Sequence, residues 1–369
     1  MPRQTQAVKT LSDIIRAEAA SGGVLPFARF MELALHCPVH GYYETQKDSI
    51  GRRGDFYTSA SVGELFGQLL AFQFAGWLEK LQIADCKLQI IEAGAHDGQL
   101  AKDILNWLRL NRPKLFAQIE YCILEPSARR RQWQNETLAG FEDKIRWAAQ
   151  FSELKNPQSI RGVFFSNELL DAFSIRRFGW NAKNKNWFEW GVAVDGEKFV
   201  WAKIQNLDLP ASILRLPSPL LDVLPDDYTI ETSLAAENWW RAAAGILQRG
   251  KLLTIDYGLT TDELFLPQRK NGTLRAYFRH HFSDDVLANV GKQDLTAHVN
   301  FSAIQKAGED AGLKTETFCT QPQFLTQILS RAVKEKSFAG LDAKQARQFQ
   351  TLTHPEHLGR AFRVLIQSR

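Results

Sequence analysis

From Leu88 onward, short apolar runs alternate with helix-period segments, and this alternation restricts the possible folds more than any other feature of the chain. KLQIIEAGAHDGQLAKDILNWL reads as strand, glycine turn and helix, and IEYCILEPSARRRQWQNETL repeats that order. KIRWAAQF and GVFFSNELLDAF supply further strands, and GKLLTIDYG adds another behind a helix around Glu237 to Leu247. Strands spaced by helices predict an α/β protein with a mostly parallel sheet. Ligands of such sheets sit outside the carboxyl ends of the strands, and the informative residues of this chain fall there.

The alternation stops between Phe178 and Ile230. There NWFEWGVAVDGEKFVWAKI predicts a hairpin around Asp195-Gly196, read as an inserted β arm. Upstream, Leu11, Ile14, Ile15 and Ala19 share one helix face that ends at Gly22-Gly23, and a second helix covers Phe27 to Leu35. The polar, glycine-marked loop GYYETQKDSIGRRGDFYTSASVG then leads into an apolar helix over Glu64 to Leu81. A helix from about Phe301 to Ala311 and a strand near AFRVLIQ complete the pattern. The expected organisation is an N-terminal helical and lid region (1–82), a first part of the core (83–178), the arm (179–230) and the remainder of the core (231–369). A substrate-side insertion is expected near 269–300.

Length and composition narrow the function classes. A chain of 369 residues allows about two domains, or one α/β domain with large insertions. Its 45 basic and 41 acidic residues leave a net charge of +4, too small to argue for nucleic acid. Cys37, Cys86, Cys122 and Cys319 form no C-x-x-C pair, which suits a reducing compartment and argues against a zinc ribbon. No apolar signal region opens the sequence, and Asp13 and Glu18 fit poorly with an acid-poor transit peptide. The longest apolar stretch, Leu65 to Leu78, is interrupted by Gln68 and Gln73 and is too short to span a bilayer. A soluble cytoplasmic protein without membrane insertion or a metal site is the expectation. His36, Cys37 and His40 are read as part of a structural loop.

The first glycine turn is the strongest local signal. Glu92 ends an apolar run, and Gly94, Ala95, His96, Asp97 and Gly98 follow; the glycines let a ligand approach the backbone. The spacing is not G-x-G-x-x-G, which disfavours a nicotinamide-dependent oxidoreductase. It lies nearer the E-x-G-x-G-x-G turn of S-adenosylmethionine-dependent methyltransferases, with His96 at the middle glycine. Glu125 closes the next strand, where a carboxylate can accept both hydroxyls of a ribose. Asn167 and Glu168 close the fourth strand, facing either the sulfonium-bearing end of a cofactor or the incoming nucleophile. Asp171 reads equally as a catalytic acid or as a helix N-terminal charge.

Taken together, the motifs resemble those of the MidA family of S-adenosylmethionine-dependent methyltransferases. The matching stretches are Pro38-x-x-Gly41-Tyr42-Tyr43, Gly54-Asp55-Phe56-x-Thr58-Ser59 with Phe66-Gly67, the Glu92 turn and Glu125-Pro126-Ser127. They continue through Asn167-Glu168-x-x-Asp171-Ala172, Asp256-Tyr257-Gly258, Gly272-Thr273-x-Arg275-x-Tyr277 and Asp294-Leu295-Thr296-Ala297-His298-Val299-x-Phe301. Coverage runs from about residue 25 to 330. Two positions depart from the family pattern: His96 stands where glycine is usual, and Asn300 where aspartate is usual.

The resemblance implies a Rossmann-like class I core, bound S-adenosyl-L-methionine and a protein substrate. The family's mitochondrial member is a complex I assembly factor and protein-arginine methyltransferase, so an arginine of a respiratory complex I subunit is the implied target. On this reading Asp55, Thr58, Ser59, Glu92, Gly94, His96, Asp97, Gly98, Glu125, Pro126 and Ser127 bind the cofactor. Glu168 holds the acceptor, Asn167 stands beside it, and Asp171 or Asp256 is the second acid. The alternative is an assembly or interaction protein that keeps the fold without the chemistry, motivated by His96 and the tryptophan-bearing arm. That arm is also the candidate contact of a homodimer.

Overall fold

The computed structural model describes residues 10–45, 58–81, 87–154, 160–205, 208–210, 213, 216, 218–278, 281–338 and 340–369. Asp55, most of the expected lid loop and Cys86 lie outside the described residues. The chain divides into two compact units. One is drawn from Met1–Ser49, Ala172–Ala235 and Asp262–Ala297, the other from Ile50–Asp171, Ala236–Thr261 and His298–Arg369.

The second unit is built on an eight-stranded mixed sheet, in which the short strand Val299–Asn300 pairs off the end of one of seven main strands: β1 (Leu88–Ala93), β2 (Ile119–Leu124), β3 (Ile145–Ala148), β4 (Ile160–Asn167), β5 (Leu247–Leu259), β6 (Lys314–Thr320) and β7 (Phe362–Ser368). Their spatial order is β3-β2-β1-β4-β5-β7-β6. The first five are mutually parallel, whereas β7 runs antiparallel to both β5 and β6. The order reverses between β1 and β4, which pair from Gln89↔Gly162 to Ala93↔Ser166, so the switch point lies beside Glu92. Gly162 is required inside β4, because a Cβ there would meet the Gln89 carbonyl oxygen of β1 at 1.9 Å. The mixed sheet is the alternation read from the sequence, with one reversed strand that periodicity did not mark.

The helix Glu64–Leu81 packs against this sheet and is apolar nearly all round, as a helix buried on most sides must be. Leu65, Phe66, Leu69, Leu70, Phe74 and Leu78 are fully buried in the core. Each contributes roughly 1.5–3 kcal/mol relative to exposure. Gly67 lets the helix Gln99–Asn111 approach closely, since a Cβ there would come within 2.6 Å of the Asp103 Cβ.

In the first unit, antiparallel strands Arg176–Asn181, Asn186–Asp195, Lys198–Ile204 and Thr229–Thr232 form one sheet with the short strand Leu25–Pro26. The arm therefore begins at Arg176 and closes at Thr232. Its hairpin pairs Asp195 with Lys198 around Gly196, whose φ is +55°. Trp180 and Trp187 pack at 5.0 Å in its core, and Phe27 of the N-terminal helices lies 4.9 Å from Trp201. The stretch expected as an insertion near 269–300 carries a three-stranded sheet of Arg275–Phe278, His281–Ser283 and Asp294–Thr296. Among the described residues, no helix is long and apolar enough to cross a membrane.

Candidate active site

The candidate residues gather at the carboxyl ends of β1, β2, β4 and β5, all within the second unit. After β1 the chain turns sharply, with Gly94, His96 and Gly98 at φ +75°, +46° and +88°. Glycine takes such angles freely and histidine does not, so His96 holds a strained conformation in the middle of the turn. A Cβ on Gly94 would press to 2.9 Å from Leu169 Cδ1, and one on Gly98 to 3.2 Å from Leu138 Cδ1. The turn thus lies tightly between the segment after β4 and the helix after β2. The His96 Nε2 atom is buried and meets no hydrogen-bond partner among the described residues. Its Nδ1 stands 3.7 Å from the Asp97 carboxylate. Burial alone would raise the Asp97 pKa, but His96 and the Gln99 amide together hold it below the usual value.

Glu92 is enclosed in the sheet beneath this turn. Its Oε2 accepts a 2.6 Å bond from the Tyr121 hydroxyl, and burial pushes its pKa up to about 8 against that bond. Glu125 follows β2 and is also buried. Its Oε1 accepts from the Ser127 amide at 3.0 Å and its Oε2 from Gln134 Nε2 at 3.2 Å. Ser127 caps the next helix by accepting from the Arg130 amide, while Pro126 is exposed.

The β4 end is built differently. Glu168 sits at φ +53°, another left-handed non-glycine residue, so its side chain leaves the strand direction abruptly. Its Oε1 accepts from the Ser59 amide at 2.8 Å and from Asn167 Nδ2 at 2.9 Å. Burial, reinforced by the nearby Asp171 charge, pushes its pKa up to about 8 despite both donors. Asn167 is buried, and its Oδ1 meets no partner among the described residues. Ser59 is fixed in turn by Gln321, whose Oε1 accepts from its hydroxyl at 3.0 Å, and Thr58 exchanges hydrogen bonds with Ser61.

Asp256, on β5, is wholly buried and spends its carboxylate on the backbone. Oδ2 accepts from the Leu169 and Leu170 amides at 3.1 and 2.7 Å, and Oδ1 from the Tyr257 amide at 2.8 Å. Burial, with Asp171 and Glu168 nearby, drives its pKa well up. It therefore fixes the turn that carries Glu168. Asp171 belongs to the short helical turn Leu170–Ala172 behind that residue.

The sequence model of a family of S-adenosyl-L-methionine-dependent methyltransferases matches residues 69–319, more than half of the chain. The chain belongs to this family. A COG1565 superfamily member from Burkholderia thailandensis, crystallised with S-adenosyl-homocysteine, is 32% identical over 97% of this chain and 92% of its own, with a TM-score of 0.84. A second crystal structure from that organism gives 32% identity, 97% and 91% coverage and a TM-score of 0.79. The protein arginine methyltransferase NDUFAF7 homolog of Drosophila melanogaster, named as mitochondrial, is 27% identical over 96% of this chain and 84% of its own length. Its Danio rerio counterpart, also named as mitochondrial, is 25% identical over 96% and 86%.

This methyltransferase thus has the class I fold and uses S-adenosyl-L-methionine. The expectation of a cytoplasmic protein is corrected, because the relatives that it matches are named as mitochondrial.

Some polar parts of the site gave no signal in the sequence. Gln134 and Gln321 are fully buried amides, and Tyr121 is a buried strand residue whose hydroxyl reaches Glu92. Tyr43, Gly272, Thr273 and Asp294, from three of the other family motifs, lie within the first unit. Tyr43 donates to Asp294 at 2.9 Å, and Glu231 accepts from the Thr273 amide at 2.7 Å beside Gly272 at φ +78°. Asn300 caps the helix Phe301–Asp310 through the Ala303 amide at 3.2 Å. His36 stacks on Tyr43, and no group of three metal-ligating side chains occurs among the described residues.

Proposed function

We propose that this methyltransferase methylates an arginine side chain of a protein, with Glu168 holding the acceptor. One observation carries the reading. Glu168 is half-buried and receives two neutral N–H donors, but meets no lysine or arginine among the described residues, and Asp171 crowds it with like charge. A carboxylate in that state binds a guanidinium favourably, because the incoming cation supplies the charge that the protein withholds. Several relatives are named protein arginine methyltransferases, which supports the same substrate class. The complex I subunit implied by the motif resemblance and a homodimer joined through the arm extend this reading.

The residues present fit the cofactor. Glu125 offers acceptors suited to ribose hydroxyls, the turn at 94–98 carries two glycines whose backbone no side chain covers, and the buried His96 Nε2 and Asn167 Oδ1 meet no partner among the described residues. Glu125, the glycine turn and Asn167 would hold it, and when bound its sulfonium supplies an activated methyl group. A guanidinium has no free lone pair at neutral pH. Glu168 aligns the accepting nitrogen and takes the proton that this nitrogen releases as it is methylated. Its value near 8 suits a base that must ionise on meeting a cation and hold a proton afterwards. Asn167 fixes the carboxylate by its amide, Asp256 fixes the turn, and Ser59 ties the N-terminal segment to the same carboxylate.

Incubation of the purified protein with methyl-labelled donor and lysate proteins, followed by mass spectrometry, tests the substrate class. Label on arginine side-chain nitrogens is the expected result. Label confined to lysine, carboxylate or small molecules would overturn it.

A further inference from the structure

The helix Ala128–Thr137 is made almost wholly of polar residues, and the one side chain that it buries is Gln134, with no exposed surface. Burying an amide is costly unless its hydrogen bonds are satisfied, and Gln134 bonds at both ends of its amide, its two N–H bonds going to parts of the site. Its Oε1 accepts from Trp147 Nε1 of β3 at 2.9 Å. Its Nε2 donates to the His96 carbonyl oxygen at 3.0 Å and to Glu125 Oε2 at 3.2 Å. The indole N–H can only donate, so it fixes which end of the amide is oxygen and turns both amide hydrogens toward the site. One side chain thereby joins the turn after β1 to the acid after β2.

We infer that Gln134 is a positioning residue for S-adenosyl-L-methionine binding: its amide holds the Glu125 carboxylate and the His96 turn in one fixed spacing. The inference rests on the reading of Glu125 as a cofactor residue. The amide bond to Oε2 pins the second oxygen of the carboxylate and limits rotation about its last torsion, freedom that binding would otherwise have to remove. Gln134 removes that freedom in advance, and the link to His96 keeps the two cofactor-facing segments from separating. A lone structural role, gluing helix to sheet, would stabilise the fold without making ligand affinity depend on Glu125.

Calorimetric titration of S-adenosylhomocysteine into the full chain separates these cases, using wild type, Glu125→Ala, Gln134→Met and the double variant. Each single substitution is expected to weaken binding about tenfold, the size of one lost hydrogen bond. The double variant is expected to bind no worse than Glu125→Ala, because Gln134 acts through that carboxylate. Wild-type affinity in Gln134→Met, or losses that simply multiply in the double variant, would overturn the inference. Unchanged affinity in Glu125→Ala would instead overturn the reading of Glu125 itself. Should Gln134→Met fail to fold, Trp147→Phe answers in its place by releasing the amide without removing it. Binding weaker by about threefold, with the difference gone in the Glu125→Ala background, supports the inference; wild-type affinity overturns it.

Discussion

The acids at the ends of β1 and β2 and those at the ends of β4 and β5 belong to one sheet and are held in opposite ways. Glu92 leans on the Tyr121 hydroxyl, and Glu125 on the Gln134 amide and the Ser127 amide. Glu168 and Asp256 instead share a neighbourhood with Asp171, which raises the cost of ionising both, and Glu168 raises that of Asp256 further. The first pair is set among separate hydrogen-bond donors, an arrangement suited to neutral hydroxyls. The second group concentrates carboxyl groups without a basic partner for Glu168 or Asp256 among the described residues, so that an incoming cation favours their ionisation. Within the second group the roles divide again. Asp256 is consumed by three backbone amides, whereas Glu168 is half-buried and strained into its position.

The largest effect should come from Glu168→Gln, which keeps the shape and removes the proton acceptor. Methyl transfer is expected to fall about a thousandfold, within the range for loss of a general base, while calorimetric affinity for S-adenosylhomocysteine stays within about twofold. Near-wild-type turnover would erase the distinction between the two groups of acids.

Asp256→Asn should act on stability. It replaces an acceptor oxygen by an amide that cannot serve the same N–H groups, at an expected cost of about 1–3 kcal/mol. A melting temperature lower by roughly 3–10 °C checks this, and an unchanged one would mean that Asp256 does not hold the Glu168 turn.

The third prediction concerns pH. Glu168 is protonated in the free enzyme below its value of about 8, so kcat/KM should rise about tenfold per pH unit below that point and level above it. The residual activity of Glu168→Gln should lack this limb. A profile already flat between pH 6 and 8 would remove Glu168 from the role of base.

The smallest effect is expected at Glu92. In the unfolded chain a glutamate has lost its proton above about pH 4.3, whereas in the fold Glu92 keeps it to about pH 8. The folded state therefore binds more protons in that window, and stability falls as pH rises through it. Glu92→Gln should flatten part of this decline and raise the melting temperature at pH 8 by a few degrees. An identical pH slope in the variant would show that Glu92 is not held protonated.

Much of the fold was legible because burial writes itself into periodicity. Strand and helix alternation gave the α/β sheet, and the near-continuous apolar run Leu65 to Leu78 gave the packed helix. The acids at strand ends were legible because a carboxylate closing an apolar run is a local event, visible at Glu92, Glu125 and Glu168. Gln134 and Gln321 were not, since a polar residue buried in or at the start of a polar stretch leaves hydropathy unchanged.

The sequence by itself determined which segments become strands, which turns need glycine and which strand ends carry negative charge. Each of those depends on neighbours a few residues away. Only the tertiary structure decided that β7 enters antiparallel between β5 and β6, and that three amides claim Asp256 while Glu168 stands without a basic partner among the described residues. It alone brought Gln134 within reach of both His96 and Glu125. Hydrogen bonds join atoms far apart along the chain, and whether a charged group is satisfied depends on what the fold places around it.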